Sequence, residues 1–181
     1  MSAFDRAFEI TVGVEGDYSD DATDRGGKTR FGITERVARA HGYSGDMRLL
    51  PFGFARDIYR DSWWNLMRLD QVAGVSEPVA RELFDTGVNR GQSVAVIYLQ
   101  RLLNVFNNNE QWYADITTDG LMGALTIAAL RAYLARRGKE GERVLLVMLN
   151  ALQGNGYVEI AERDKTQERF VYGWAKERVT P

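Results

Sequence analysis

The chain has no cysteine. Its absence excludes disulfide frameworks, thiolate zinc sites and cysteine nucleophiles, and a fold without disulfides suits the cytosol and the periplasm equally. His41 is the single histidine, so a multi-histidine metal centre cannot be built. A Ser-His-Asp triad would have to use this one residue, which in Ala40-His41-Gly42 reads as a helix end beside a glycine cap. Long hydrophobic runs are also missing. The strongest, Val144 to Leu149, is too short to span a bilayer. Met1-Ser2-Ala3-Phe4-Asp5-Arg6 lacks the cationic-then-apolar pattern of a signal peptide. These absences predict a soluble protein with no stable membrane insertion.

Charge of one sign is scarce as well. The formal net charge is −2, with 13 basic and 18 acidic side chains in residues 1–130, and 10 and 7 in residues 131–181. That modest C-terminal bias falls short of the basic stripe that nucleic acid requires. Arg136, Arg137, Lys139 and Arg143 cluster around an expected helix break at Gly138. They read as a solvated face, with weak contact to an anionic envelope surface as the functional alternative.

What the chain does have is enough apolar residue, 45% of 181, to bury a core without staples. Phe4, Phe8 and Val12 recur at helical spacing, which predicts a helix over 3–14. Residues 16–33 hold Gly16, Gly26, Gly27 and Gly32 without apolar periodicity, and predict a loop or small hairpin turning near Gly26-Gly27. Thr34 is placed to cap a helix over 35–41. Pro51 opens a second helix carrying Phe54 and Ile58, Ser76-Glu77-Pro78 a third, and Ser93 to Phe106 forms a fourth. A polar loop over 110–123 follows. Helices are then expected over 124–137, 140–153 and 156–176, separated by Gly138, Gly141, Gly154 and Gly156. The fold class is mostly α.

Chemistry concentrates in residues 15–34. Glu15 follows the first helix, where partial burial would raise its pKa and keep it protonated, as a general acid requires. Asp24, in a polar glycine-rich loop, would stay ionised, and the Thr29 hydroxyl is suited to holding a water. Two carboxylates in such different surroundings are what glycosidic cleavage needs. On residues alone, two other readings stand beside it. Glu15 can be a solvated helix-end residue, and Asp20, Asp21 and Asp24 can be turn formers. A calcium loop beginning at Asp20 fails, because Arg25 occupies its required glycine position.

Glu15-Gly16-Asp17-Tyr18, Asp21 with Asp24, Gly26-Gly27, Thr29 and Gly32-Ile33-Thr34 together resemble the N-terminal signature of glycoside hydrolase family 108. These are phage and bacterial N-acetylmuramidases. Asp17 stands where that signature has its second glycine, and Ala22 and Arg25 stand at its prolines. The resemblance continues through Phe84-Asp85-Thr86-Gly87-Val88-Asn89-Arg90-Gly91, Leu99-Gln100-Arg101-Leu102-Leu103 and Asp119-Gly120-Leu121-Met122-Gly123-Ala124-Leu125-Thr126. It ends at Phe170-Val171-Tyr172-Gly173-Trp174.

The resemblance implies a lysozyme-like fold with a small β-hairpin or loop after the first helix. It places a catalytic region over residues 1–92 and a helical peptidoglycan-binding region over 93–181. Glu15, Asp24 and Thr29 become the catalytic candidates, and Thr29 sits one residue short of the phage-type lysozyme spacing. Tyr18, Phe31, Trp63 and Asn89 are candidate saccharide contacts, since aromatic faces suit sugar faces. Trp64 is adjacent to Trp63, and at least one ring of such a pair must enter the core.

The implied activity is that of an endolysin cutting the β-1,4 bond between N-acetylmuramic acid and N-acetylglucosamine, so lysing the host. Its partner would be peptidoglycan glycan strands, and it would need no metal or cofactor. It would act as a monomer, made in the host cytoplasm and reaching the periplasmic wall through a separate pore. The rivals are a lytic transglycosylase and a non-catalytic wall-binding or secretion-associated protein.

Overall fold

A computed structural model of the chain describes residues 1–13, 18–19 and 27–179. Its contacts divide into two compact units, Met1–Leu66 and Met67–Pro181. Eight α-helices and one two-stranded hairpin are found among the described residues, as the mostly α expectation requires.

In the first unit, α1 (Ala3–Thr11) begins at Ser2, whose Oγ accepts the Asp5 amide while the Asp5 carboxylate accepts the Ser2 amide. This reciprocal pair satisfies two of the free N–H groups at the helix start. Asp5 also accepts from Arg56 Nε at 3.1 Å on α3 (Phe52–Tyr59). Arg56 first, and then Ser2, hold the Asp5 carboxyl well below the usual carboxylate range.

Phe4 and Phe8, one turn apart, are fully buried. Each contributes about 1.5–3 kcal/mol by leaving water. Phe8 packs on Phe52 at 5.3 Å and Tyr59 at 5.4 Å between ring centroids, and Phe4 meets Trp64 edge-on at 5.5 Å. A π-helical turn, Arg60–Asn65, follows α3 and contains both tryptophans. Trp64 is wholly buried, while Trp63 stays half-buried with its ring 4.9 Å from that of Tyr59.

The hairpin pairs β1 (Thr29–Arg30) with β2 (Ile33–Thr34). It turns at Phe31-Gly32, not near Gly26-Gly27 as the glycine pair suggested. Both turn residues have positive φ, 51° and 71°, the requirement of a tight two-residue hairpin. Phe31 is an unusual choice for such a position. Its ring is 8% exposed and meets Phe52 edge-on at 5.3 Å, so burial offsets the backbone strain. Thr34 then caps α2 (Glu35–Ala40), accepting the Val37 amide at 3.4 Å.

The second unit comprises α4 (Leu69–Ala73), α5 (Glu77–Arg90), α6 (Gln92–Val105), α7 (Ala124–Arg163) and α8 (Glu168–Arg178). Ser76 caps α5 by accepting the Val79 amide at 3.2 Å. Its core joins Leu83 and Phe84 of α5, Leu99 and Leu103 of α6, and Leu130, Tyr133, Leu145 and Leu149 of α7.

One face of α6 carries amides rather than apolar side chains at its outer edge. Gln100 Nε2 donates to Asp119 (2.8 Å), Leu121 O (3.1 Å) and Thr126 (3.2 Å), while its Oε1 accepts the Gly120 amide (2.9 Å). Asn104 exchanges two bonds with the Ile116 backbone, and Asn107 donates to Asp115. Gln100 and Asn104, at i and i+4, share a face of α6, and Asn107 lies just past the helix end; together the three amides hold the 108–123 loop.

α7 is a single run with one break at Gly138, whose φ is 59° and ψ −147°. The expected breaks at Gly154 and Gly156 do not occur, because these glycines serve close approach instead of turning. A Cβ on Gly154 would stand 3.1 Å from Val179, and one on Gly156 would stand 2.5 Å from the Arg90 guanidinium. The helix ends at Asp164, which accepts the amide and hydroxyl of Thr166, and α8 follows. By length and composition alone α7 could cross a membrane, with mean hydropathy 1.2 over its most apolar stretch. A core helix passes the same test, and Leu145, Leu149 and Tyr157 are buried within this unit.

Candidate active site

The hairpin organises the candidate site. Ser19 and Thr29 exchange backbone hydrogen bonds of 2.9 and 2.8 Å, and the Glu35 amide donates to Lys28 O at 2.7 Å. At the other end, Gly13 leaves α1 with φ 74°. Glu15 and Asp24 lie outside the described residues; the anchors on either side of them are those just given.

Thr29 Oγ1 donates to Gly27 O at 3.0 Å. With its proton so directed, the hydroxyl keeps lone pairs to accept from a water but cannot donate to it. Such a group can fix the orientation of a water whose other proton faces a base. Phe31 puts its ring into the core, so little of it is open to a sugar. Its carbonyl accepts from Tyr59 Oη at 3.1 Å, which fastens the turn to α3. Trp63 joins the same cluster through Tyr59. The structure therefore brings Thr29, Phe31 and Trp63 to one hairpin and its support, with Tyr18 on the neighbouring segment.

A polar groove of about 530 Å³ lies beside the hairpin. It is lined by Tyr18, Lys28, Glu35, Arg39, Asp46 and Arg48 among others. Arg39 pairs with Glu35 at 2.7 Å and also donates to the Tyr43 and Gly45 carbonyls, which fixes the groove wall. Arg48 grips the Asp46 carboxylate through Nε and Nη2. That guanidinium, helped by the Arg48 amide, lowers the Asp46 carboxyl to about 2. Fixed donors and acceptors beside an aromatic ring suit a hydroxyl- and amide-rich polymer.

His41 closes α2 as its composition suggested. Its Nδ1 lies 3.0 Å from the Val37 carbonyl, which can only accept, so Nδ1 carries a proton, and Nε2 lies 3.1 Å from Ser62 Oγ. Among the described residues no three His, Asp or Glu side chains gather at metal-binding range. Asn89 stands on α5 in the second unit, where its Nδ2 donates to Asp85 O at 2.8 Å.

The family model Glycosyl hydrolase 108 matches residues 8–91, and the model Predicted Peptidoglycan domain matches residues 94–179. The chain carries a glycosyl hydrolase 108 domain, followed by a predicted peptidoglycan domain. The structure of SagA from Brucella abortus is similar to it at TM-score 0.68 and 25% identity, over 97% of this chain and 88% of that one. No curated protein sequence matches the chain significantly. As a glycoside hydrolase with a peptidoglycan domain, it has peptidoglycan as its partner. The hydrolase match runs past the Leu66–Met67 division of the compact units and takes in α4 and α5.

A polar network in the second unit escaped sequence reasoning. Asp85 pairs with Arg178 at 2.6 Å and accepts from Gln153 Nε2 at 2.9 Å, while Gln153 also bonds Thr86 and Tyr157. Beside it, burial first and the Asp85 charge second push the Glu82 carboxyl up to about 7. Asp85 and Thr86 fall inside a block whose resemblance was noted. Gln153 and Arg178 lie 68 and 93 residues from Asp85, with no local pattern to link them.

Proposed function

We propose that the enzyme is a muramidase, hydrolysing the β-1,4 bond between N-acetylmuramic acid and N-acetylglucosamine. The order of matches carries this reading: a glycosyl hydrolase 108 domain is followed in one chain by a predicted peptidoglycan domain. Glu15 is the general acid that protonates the leaving oxygen, worth roughly 10²–10⁴ in rate. Asp24 is the ionised partner that activates water or stabilises positive charge at the anomeric carbon. Thr29 accepts from the water, in keeping with the direction of its own proton. Tyr18 and the polar groove supply saccharide contacts. In this reading the protein is a phage or prophage endolysin, made in the host cytoplasm and released to the wall through a separate pore.

The test is digestion of purified peptidoglycan, borohydride reduction and mass spectrometry, run beside Glu15→Gln. Reduced muramic acid ends are expected from the wild type, with the variant slowed at least about a hundredfold. Anhydro ends would make the enzyme a lytic transglycosylase, and reduced glucosamine ends a glucosaminidase. An unaffected variant would remove Glu15 from the mechanism.

A further inference from the structure

Within the second unit a groove of about 400 Å³ is lined by residues of α5, α7 and the end of α8. Leu146, Val147, Ala151 and Val179 give it an aliphatic wall, and no aromatic ring lines it. Arg81 and Arg143 also line it, and both are exposed. Neither guanidinium has a hydrogen bond or ion pair among the described residues. Glu82 and Asn150 complete the polar part. With the Glu82 carboxyl at about 7, the described lining presents two cations and no anion below that pH.

Two guanidiniums with no hydrogen bond or ion pair among the described residues call for carboxylates, which they bind in a planar two-point geometry. The glycan strand of peptidoglycan offers few, because each muramic lactyl carboxyl that carries a stem is tied up in an amide. Its stem peptides offer several, spaced by alanine methyl groups. Sugars favour aromatic faces, whereas an aliphatic wall fits methyl groups. We infer that this groove takes the peptidoglycan stem peptide. Carboxylates of the peptide sit on Arg81 and Arg143, and its alanyl methyls lie against Leu146, Val147 and Ala151. The assignment deepens the proposed function and rests on its reading of peptidoglycan as substrate.

The probe is a free stem tetrapeptide, which contains no glycosidic bond, titrated into the full-length protein and followed by amide chemical shifts. Shifts are expected around residues 81–82 and 143–151. Charge reversal at both positions, Arg81→Glu with Arg143→Glu, should weaken binding at least about tenfold, as loss of a charge-assisted bond does. Val147→Trp, at a position 48% exposed, fills the groove without changing charge and should do the same. An absence of shifts there, or variants that bind as the wild type does, would overturn the assignment. Hydrolysis of purified peptidoglycan by the wild type is measured in parallel. Cleavage without peptide binding sinks the groove assignment alone. Peptide binding at the groove without cleavage supports the assignment and counts against the muramidase reading.

Discussion

Replacing Glu82 with Gln should change how the stability of the second unit depends on pH. In the folded protein this carboxyl is raised from 4.5 to about 7, chiefly by burial and then by the Asp85 charge. Between those values the folded state holds a proton that the unfolded state has released. Stability is therefore greatest below the unfolded pKa, declines as pH rises, and levels off above the folded pKa. At about 1.4 kcal/mol per unit, the wild type should lose about 3 kcal/mol between pH 4.5 and 8 from this group. Gln keeps the shape and a hydrogen-bonding amide but cannot ionise.

Urea unfolding of both proteins at a series of pH values supplies the measurement, with the variant-minus-wild-type difference as the readout. Near pH 4.5 the two should agree within about 1 kcal/mol, the worth of an ordinary hydrogen bond. At pH 8 the variant should be the more stable by about 3 kcal/mol. Using the difference cancels the titrating groups that do not interact with Glu82, Asp5 among them. Parallel curves across the range would refute the burial argument for Glu82.

Gly32 meets two demands, a φ of 71° and a Cβ position only 2.5 Å from Tyr59 Oη. Gly32→Ala should therefore cost about 1–3 kcal/mol, and less in a Tyr59→Phe background where the clashing hydroxyl is gone, a coupling that a double-mutant cycle reads directly. Gln100→Leu keeps the volume of a side chain only 1% exposed but strands the Gly120 amide and the Thr126 hydroxyl. A loss of about 2–4 kcal/mol is expected, with faster proteolysis within 108–123 as the local sign; unchanged cleavage there would show that the loop holds itself.

The helices were legible wherever a side chain caps them. Thr34 and Ser76 each accept the amide three residues on, and Pro51 stands at the start of α3. Such signals are local, and sequence displays them directly. The hairpin turn was not legible, because Phe31 at φ 51° is the opposite of what local preference selects; its burial against Phe52 decides the matter, and that contact spans 21 residues. Of the candidate site, Thr29, Tyr18 and Trp63 fall on or beside the hairpin and its support, whereas the role of Tyr59 in fastening Phe31 had no motif to announce it.

Glycine marks where sequence reasoning about α7 went astray. Gly138, Gly154 and Gly156 look alike in sequence, yet only Gly138 leaves the helix. The other two are buried or half-buried against Arg90 and Val179, where a missing side chain lets a neighbour approach the backbone. A glycine whose neighbours are absent from its own sequence window cannot be assigned to one use or the other. Here the distinction has a functional consequence. Continuous helix through 154 and 156 keeps Gln153 and Tyr157 one turn apart on the face that meets Asp85. A break there would have dismantled the network beside Glu82, and with it the surroundings that keep the groove free of negative charge below about pH 7.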